Sequence, residues 1–477
     1  MSADSPVPLC VDLDGTLFLT DSCLESLLQL LKKAPWLIVV LPFWLLRGLA
    51  AFKHQVARRV PADACDWPAN PEVLAFVRTA RDQGRKIVLA TAADQRIAAA
   101  AQERLNLFDE ILASDGATNL SGPAKAAALV QRFGAKKFDY VGSCATDLPV
   151  WQAAQAAGVA GNNDELVVRV RQSTPVERVF SRPRAGWRDW AQALRVHQWS
   201  KNLLLLIPAM SAHQWADPTR LWPVLVGLAA FSLCASSVYL LNDLLDLESD
   251  RHHPSKQHRP LASGRIPLAA GLAAVPPLLG AAAVMAGCLG WKFAALFGVY
   301  YVVTLAYSLR LKQVPLLDVL ALAGLYGLRV LAGGFAAHVP VTDWLIMFSI
   351  FLFLSLAFAK RSTEIRANRA AENDQLGGRG YRSGDAELVS SMGVASGYLS
   401  VLVLAMYISH PSVTLLYSRP QVLWLACPVL LYWISRVWLL VHRGAMDDDP
   451  IWFALRDGQS GIVVLLLAVI GFAAGPR

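Results

Sequence analysis

The densest chemistry in this sequence lies between Asn242 and Pro260, where Asp243, Asp246, Glu248 and Asp250 are followed by Arg251, Lys256 and Arg259. The stretch separates two long apolar runs, and ionisable residues at such a place mark a functional site by default. Asp243, Asp246 and Asp250 are spaced i, i+3, i+7, which on a helix puts them on one face within about two turns. Three like charges on a face repel unless a cation sits among them. Mg2+ suits the position, because it takes oxygen ligands and is held by a few carboxylates together with substrate phosphates. A merely solvated juxtamembrane loop has no reason to align its carboxylates, so these three are the expected metal-binding and catalytic residues.

A second constellation begins at Asp12 and Asp14, two carboxylates that follow the apolar run ending at Val11 and precede Gly15-Thr16. They read as the end of a buried strand and a tight turn, the edge at which an open α/β sheet binds ligands. Further strands are expected around Lys86–Ala90, leading to Thr91 and Asp94, and around 110–114 and 138–142, the last leading to Ser143 and Asp147. Helical patterns alternate with them, including one opened by Lys125, which predicts a parallel, doubly wound sheet.

The rest of the chain must position these two sets. It has 477 residues, 55% of them apolar, a net charge of +8 and seven cysteines, with mean hydropathy +0.39 and pI near 9.2. The length allows two or more domains. The apolar residues concentrate after Leu203, and nine spans are expected near 203–213, 220–241, 267–288, 292–308, 315–337, 344–360, 387–408, 420–440 and 458–475. Cations gather in alternate loops (Arg251 to Arg265, Arg310 and Lys312, Arg361 through Arg382, Arg443), a positive-inside pattern that places both constellations on the cytoplasmic face and excludes nucleic acid as the reason for the basic charge. Scattered cysteines without C-x-x-C indicate neither disulfides nor zinc, and the polar start is not a cleavable signal peptide. Ala34 to Phe52 is apolar but short and broken by Pro42, so it reads as an insertion resting on the membrane interface. The expected division is 1–176 for the α/β domain, 177–195 for a basic linker and 196–477 for the membrane domain.

The motif order Asp12-x-Asp14-Gly15-Thr16, Thr91, Lys125 and Gly142-x-x-x-x-Asp147 resembles the haloacid dehalogenase (HAD) superfamily of phosphohydrolases over most of residues 7 to 175. The resemblance implies a Rossmann-type fold with Asp12 as nucleophile, Asp14 as general acid/base, Thr91 and Lys125 as phosphate binders, and Mg2+ on Asp12, Asp14 and Asp147. Ser143 departs from the pattern, which has a carboxylate there. A loss of metal affinity at that position leaves a scaffold or regulatory module as the alternative.

Nine spans with Asn242-Asp243-x-x-Asp246-x-x-x-Asp250 after the second resemble the UbiA superfamily of intramembrane prenyltransferases over residues 190 to 475. Members that join a prenyl diphosphate to an aromatic ring carry another Asp-rich motif after the sixth span. Here that place reads Ala359-Lys360-Arg361-Ser362-Thr363-Glu364-Ile365-Arg366, and exchanging carboxylates for cations adds capacity for a further anionic group. With Gln198-Trp199-x-Lys201-Asn202 and Tyr307-Ser308-Leu309-Arg310-Leu311-Lys312, this resembles the decaprenyl-phosphate phosphoribosyltransferase branch. The implied reaction moves 5-phosphoribosyl from 5-phosphoribosyl 1-diphosphate to a polyprenyl phosphate, with Mg2+ as cofactor and the HAD-like domain removing the 5-phosphate of the product. The implied substrate-binding residues are Lys201, Asn242, Lys256, Arg259, Arg310, Lys312, Lys360, Arg361 and Glu364; Lys360 and Arg361 also read as cations anchoring a span end. Two other readings stand: a prenyltransferase for an aromatic quinone precursor with an inactive HAD scaffold, and a transporter or structural protein with a soluble sensor domain. The expected location is the bacterial inner membrane, and the sequence leaves homo-oligomer formation open.

Overall fold

The computed structural model describes residues 7–60, 67–214, 217–370, 379–446 and 450–475. Its contacts divide into two units, Met1–Leu194 with Tyr239–Val275, and Arg195–Val238 with Pro276–Arg477.

The first unit is built on six strands, β1 (Leu9–Val11), β2 (Ile87–Asp94), β3 (Glu110–Ser114), β4 (Asp139–Gly142), β5 (Ala157–Ala160) and β6 (Val176–Phe180). They pair in parallel in the order β3-β2-β1-β4-β5-β6. Period-two alternation divides the core: Leu9 and Val11 join a cluster with Leu89, Val73 and Phe180, while Cys10 joins one with Val88, Tyr140 and Trp151 on the opposite face. A sheet buried on both sides needs such continuously apolar strands. Its order reverses beside β1, and the crevice at that point lies at the carboxyl end of β1, where Asp12 follows.

The domain limit at 176 is corrected by β6. Arg178, Arg182 and the Pro/Gly content made 177–195 look like a linker, but Phe180 is fully buried and packs against Phe76 with the rings tilted and their centroids 5.2 Å apart, burial worth about 1.5–3 kcal/mol for a side chain of this size. Residues Trp187–Ala193 are helical. The acidic stretch also groups with the α/β unit: Tyr239–Val275 belongs to it, rather than to the remainder of 196–477.

Helix α1 (Ser22–Lys33) leads from β1 into the apolar insertion. The insertion is no span. It folds as a 3-10 segment Pro35–Val39 and two helices, Leu41–Leu45 and Leu49–Ala57, separated by Gly48 at φ +99°. Trp44 turns inward onto Leu30 and Val56, whereas Trp36, Val39, Phe43 and Leu46 face outward, Leu46 at 84% exposure. Later elements needed below are α2 (Pro123–Phe133), α3 (Pro218–Leu245) and α4 (Leu247–His252).

In the second unit lie α5 (Leu317–Ala337) and α6 (Asp343–Ala370). Among the described residues of the whole chain seven helices are long and apolar enough to cross a membrane, and Gly458–Ala473 is a shorter apolar helix. The first expected span, 203–213, is instead a 3-10 segment Val196–Leu206 followed by the short helix Ile207–Ser211. Its backbone lies directly on α5, where a Cβ on Gly333 would overlap the Leu205 carbonyl. All six described cysteines are free. Positions 371–378 of the expected basic loop lie outside the described residues.

Candidate active sites

At the crevice of the α/β unit the chain turns through Gly15 at φ +69°, where a Cβ would come within 2.9 Å of Ser143 Oγ. Glycine is therefore required twice over, by conformation and by space. Lys125, near the start of α2, reaches back to this turn: its Nζ donates to Asp12 Oδ1 at 2.9 Å, to Tyr140 Oη at 2.9 Å and to Asp147 Oδ1 at 3.3 Å. Thr91 is buried within the neighbouring strand β2, its Oγ1 accepting from Ala93 N. Burial raises Asp12 to about 6 against the opposing pull of the Lys125 ammonium. Asp14 is held up to about 7 by loss of water contact and by Asp21 and Asp12 nearby. The carboxylates of Asp12 and Asp147 in turn keep Lys125 firmly charged, more than offsetting its burial.

Two of the metal ligands expected here are engaged elsewhere. Asp147 is 1% exposed, and its Oδ2 accepts from the Ser143 and Cys144 amides while Oδ1 accepts from Tyr140 and Lys125. Both oxygens of Asp14 accept from Ser22, through its amide and its hydroxyl. Ser143 adds no carboxylate and donates to the Asp14 carbonyl at 3.3 Å. Asp12 Oδ1 and Asp147 Oδ1 thus meet on Lys125 Nζ while the Asp14 carboxylate is held by Ser22, so the residues present do not form a three-carboxylate Mg2+ site.

The acidic stretch keeps Asp243 and Asp250 on one side, as their spacing predicts, but not Asp246. Helix α3 ends at Leu245, and Asp246 stands at the N-terminal boundary of α4 without a side-chain capping bond. The backbone bonds Asp246 N to Asn242 O and Asp250 N to Asp246 O, both 2.8 Å, carry the helical path across the junction, and the middle side chain alone turns to another partner. Asp246 pairs with Lys32 Nζ of α1 at 2.9 Å. Asp243 and Asp250, both buried, instead meet on a single atom: Arg259 Nη1 lies 3.1 Å from Asp243 Oδ1 and 2.6 Å from Asp250 Oδ2. Half-buried Asn242 sits beside them on the last turn of α3, and Lys256 lies on the connecting turn. Among the described residues no group of three His, Cys, Asp or Glu is disposed to hold a metal ion. Two carboxylate oxygens converging on one cationic atom nevertheless fit Mg2+, which needs only one or two carboxylates when phosphates and water complete its shell.

The cation cluster of the second unit lies on α6. Arg361 is not presented to a ligand as the sequence predicted. It is fully buried, with Nη2 at 2.6 Å from Asp318 Oδ2 of α5 and Nη1 on Glu364 Oε2, the latter also 3.2 Å from Arg379. Tyr381 closes the group by donating to Asp318 Oδ1 at 2.7 Å. A buried guanidinium needs such carboxylates, so Arg361 and Glu364 are internal partners, and the half-buried Lys360, Lys201 and Lys312 and the exposed Arg310 are the cations nearer solvent. Arg329, buried within α5, donates to Asn202, to the Leu325 carbonyl and to Tyr300 Oη.

Sequence reasoning missed Asp318, Ser22 and Glu25. None sits in a motif, although Asp318 is a lone carboxylate at the head of an apolar run, a signal that could have been read. It also missed Lys53 and His54 of the insertion, which reach the Ala92 carbonyl and the Asp94 carboxylate, each at 2.8 Å.

Comparison with known proteins places residues 204–458 in the UbiA prenyltransferase family and residues 9–142 in the haloacid dehalogenase-like hydrolases. The uncharacterized protein y4nM of Sinorhizobium fredii is 37% identical over 98% of this chain and 90% of its own length. The decaprenyl-phosphate phosphoribosyltransferase of Mycolicibacterium smegmatis is 30% identical over 59% of this chain and 89% of its own. A UbiA homolog from Archaeoglobus fulgidus, solved bound to GPP and Mg2+, is 17% identical with a TM-score of 0.47, covering 60% of this chain and 99% of that one.

Proposed function

Because the chain belongs to the UbiA prenyltransferase family and carries a HAD-like domain at its N-terminus, we propose that this integral membrane transferase moves 5-phosphoribosyl from 5-phosphoribosyl 1-diphosphate to a polyprenyl phosphate at the cytoplasmic face of a bacterial inner membrane. The observation that carries the reading is the meeting of Asp243 and Asp250 on one cationic atom. Asp243, Asp250 and Asn242 would hold Mg2+, which when bound offsets the charge of a diphosphate leaving group. Arg259, which touches both carboxylates, and Lys256, three residues before it, would bind phosphate beside them. The lipid phosphate oxygen attacks C1 of ribose, the C1–O bond to diphosphate breaks, and the configuration at C1 inverts. Support for a phosphorylated sugar donor comes from Lys360 standing where a second carboxylate cluster would serve a prenyl diphosphate, and from the name of the Mycolicibacterium smegmatis relative.

A second activity, removal of the 5-phosphate from the lipid product, is favoured by the contact of Lys125 with Asp12 at 2.9 Å. Lys125 and Thr91 would bind the phosphate, and Asp12 would attack phosphorus as the bond to the ribose 5-oxygen breaks. Asp14, whose raised pKa keeps a share protonated at neutral pH, would protonate the leaving alcohol, and water giving its proton to Asp14 would then hydrolyse the aspartyl phosphate to inorganic phosphate.

The test supplies purified protein with labelled 5-phosphoribosyl 1-diphosphate, polyprenyl phosphate and Mg2+. Label should enter an organic-soluble product, Asp243→Asn should abolish this, and Asp12→Asn should leave transfer intact while stopping inorganic phosphate release. Labelled product only from a prenyl diphosphate and an aromatic acceptor would replace the proposal with the prenyltransferase reading.

A further inference from the structure

The acidic loop is gripped by the α/β part of its own unit. Glu25, one turn into α1, is 1% exposed, and both its oxygens face Arg251 of α4: Oε1 and Nη2 at 2.5 Å, Oε2 and Nη1 at 3.2 Å. Thr20 Oγ1 donates to Glu25 at 2.7 Å, and Arg251 Nε donates to the Ala262 carbonyl at 3.0 Å, which ties the two ends of the loop together. Arg251 is the immediate neighbour of Asp250. A Cβ on Gly264, at φ +74°, would come within 2.9 Å of Leu19, so the returning strand of the loop also lies flush on the chain entering α1.

We propose that the Glu25–Arg251 pair is a positioning device for the transferase, fixing α4 so that Asp250 stays convergent with Asp243. The inference rests on the metal-dependent transfer proposed above. A fork-to-fork ion pair constrains direction as well as distance, and with the Glu25 carboxylate buried, loss of either partner leaves the other's charge uncompensated. α1 thereby serves two sites: Ser22 on its first turn holds Asp14, and Glu25 on the same turn holds the acidic loop. The HAD-like domain then has a task that does not depend on hydrolysis.

The experiment uses the full-length protein in lipid nanodiscs and follows Mn2+ binding by the loss of its free electron paramagnetic resonance signal, counting the binding that Asp243→Asn removes. Glu25→Gln should weaken that binding about tenfold, in the range typical of residues supporting a metal ligand. It should raise the Mg2+ needed for half-maximal transfer to match, and leave the rate at saturating Mg2+ near that of the parent. The exchange Glu25→Arg with Arg251→Glu should recover most of the affinity. If Glu25→Gln does not fold, Thr20→Val, which removes only one hydrogen bond to Glu25, should show a smaller loss of affinity. Unchanged Mn2+ affinity in a folded Glu25→Gln, or in Thr20→Val where that is the variant in hand, overturns the positioning role. Absence of ribosyl transfer by the parent protein would overturn the proposed function instead, and the Mn2+ series would still decide the role of the pair.

Discussion

Buried charge decides how individual residues can act here. Arg361 lies between Asp318 and Glu364 with no exposed surface, and breaking such a pair leaves an uncompensated charge at a cost of about 3–5 kcal/mol. Arg361→Met and Asp318→Asn should each lower thermal stability strongly, and the double variant should lose less than the two losses added, in a double-mutant cycle of unfolding temperatures. Loss of transfer with unchanged stability in Arg361→Met would instead restore it as a ligand-binding cation. Asp14 has the opposite problem. Its folded pKa of about 7 lies above the ordinary value of 3.8, so between those limits the folded chain holds a proton that the unfolded chain has released. Stability therefore falls as pH rises from about 4 to 7 and levels off above. In metal-free buffer the unfolding midpoint should follow this course, and Asp14→Asn should remove its upper part, leaving the fall up to about pH 6 that Asp12 contributes.

At the level of elements, two short segments do what long helices do not. The insertion after α1 presents Trp36, Phe43 and Leu46 outward from an irregular pair of turns and helices that is too short to span a bilayer. We propose that these side chains rest on a membrane interface. A spin label at Leu46→Cys should be more accessible to oxygen than to a water-soluble nickel reagent in nanodiscs; the reverse ratio would put the insertion in water. The segment Val196–Leu206 depends on a bare backbone opposite it, since Gly333 leaves no room for a Cβ against Leu205. Gly333→Ala should sharply reduce the yield of folded protein, whereas Gly327→Ala, with open space beside it, should be tolerated on the same size-exclusion assay.

Across the whole molecule the loop charges give an orientation that chemical labelling can check. Cys288 ends the helix Leu268–Cys288 and Cys144 lies in the α/β unit, both exposed. With the basic loops inside, a membrane-impermeant maleimide added to intact cells should modify Cys288 and spare Cys144, and the opposite result would reverse the topology. The alternation of apolar strands with helical patterns, the Asp12-to-Thr16 turn and the long apolar runs were legible along the chain, because period, turn chemistry and hydropathy are local properties. So was the wealth of oxygen ligands between Asn242 and Asp250. Which of those carboxylates face one another was not legible: spacing places three on one helical face, but the Asp246 side chain turns to Lys32 and leaves Asp243 and Asp250 to share Arg259. The burial of Arg361, the engagement of Asp147 by its own loop and the grip of Glu25 on Arg251 were likewise hidden. Each is an electrostatic choice among partners 3 to 226 positions apart, and only packing, by excluding water from some charges and not others, decides which pairs form.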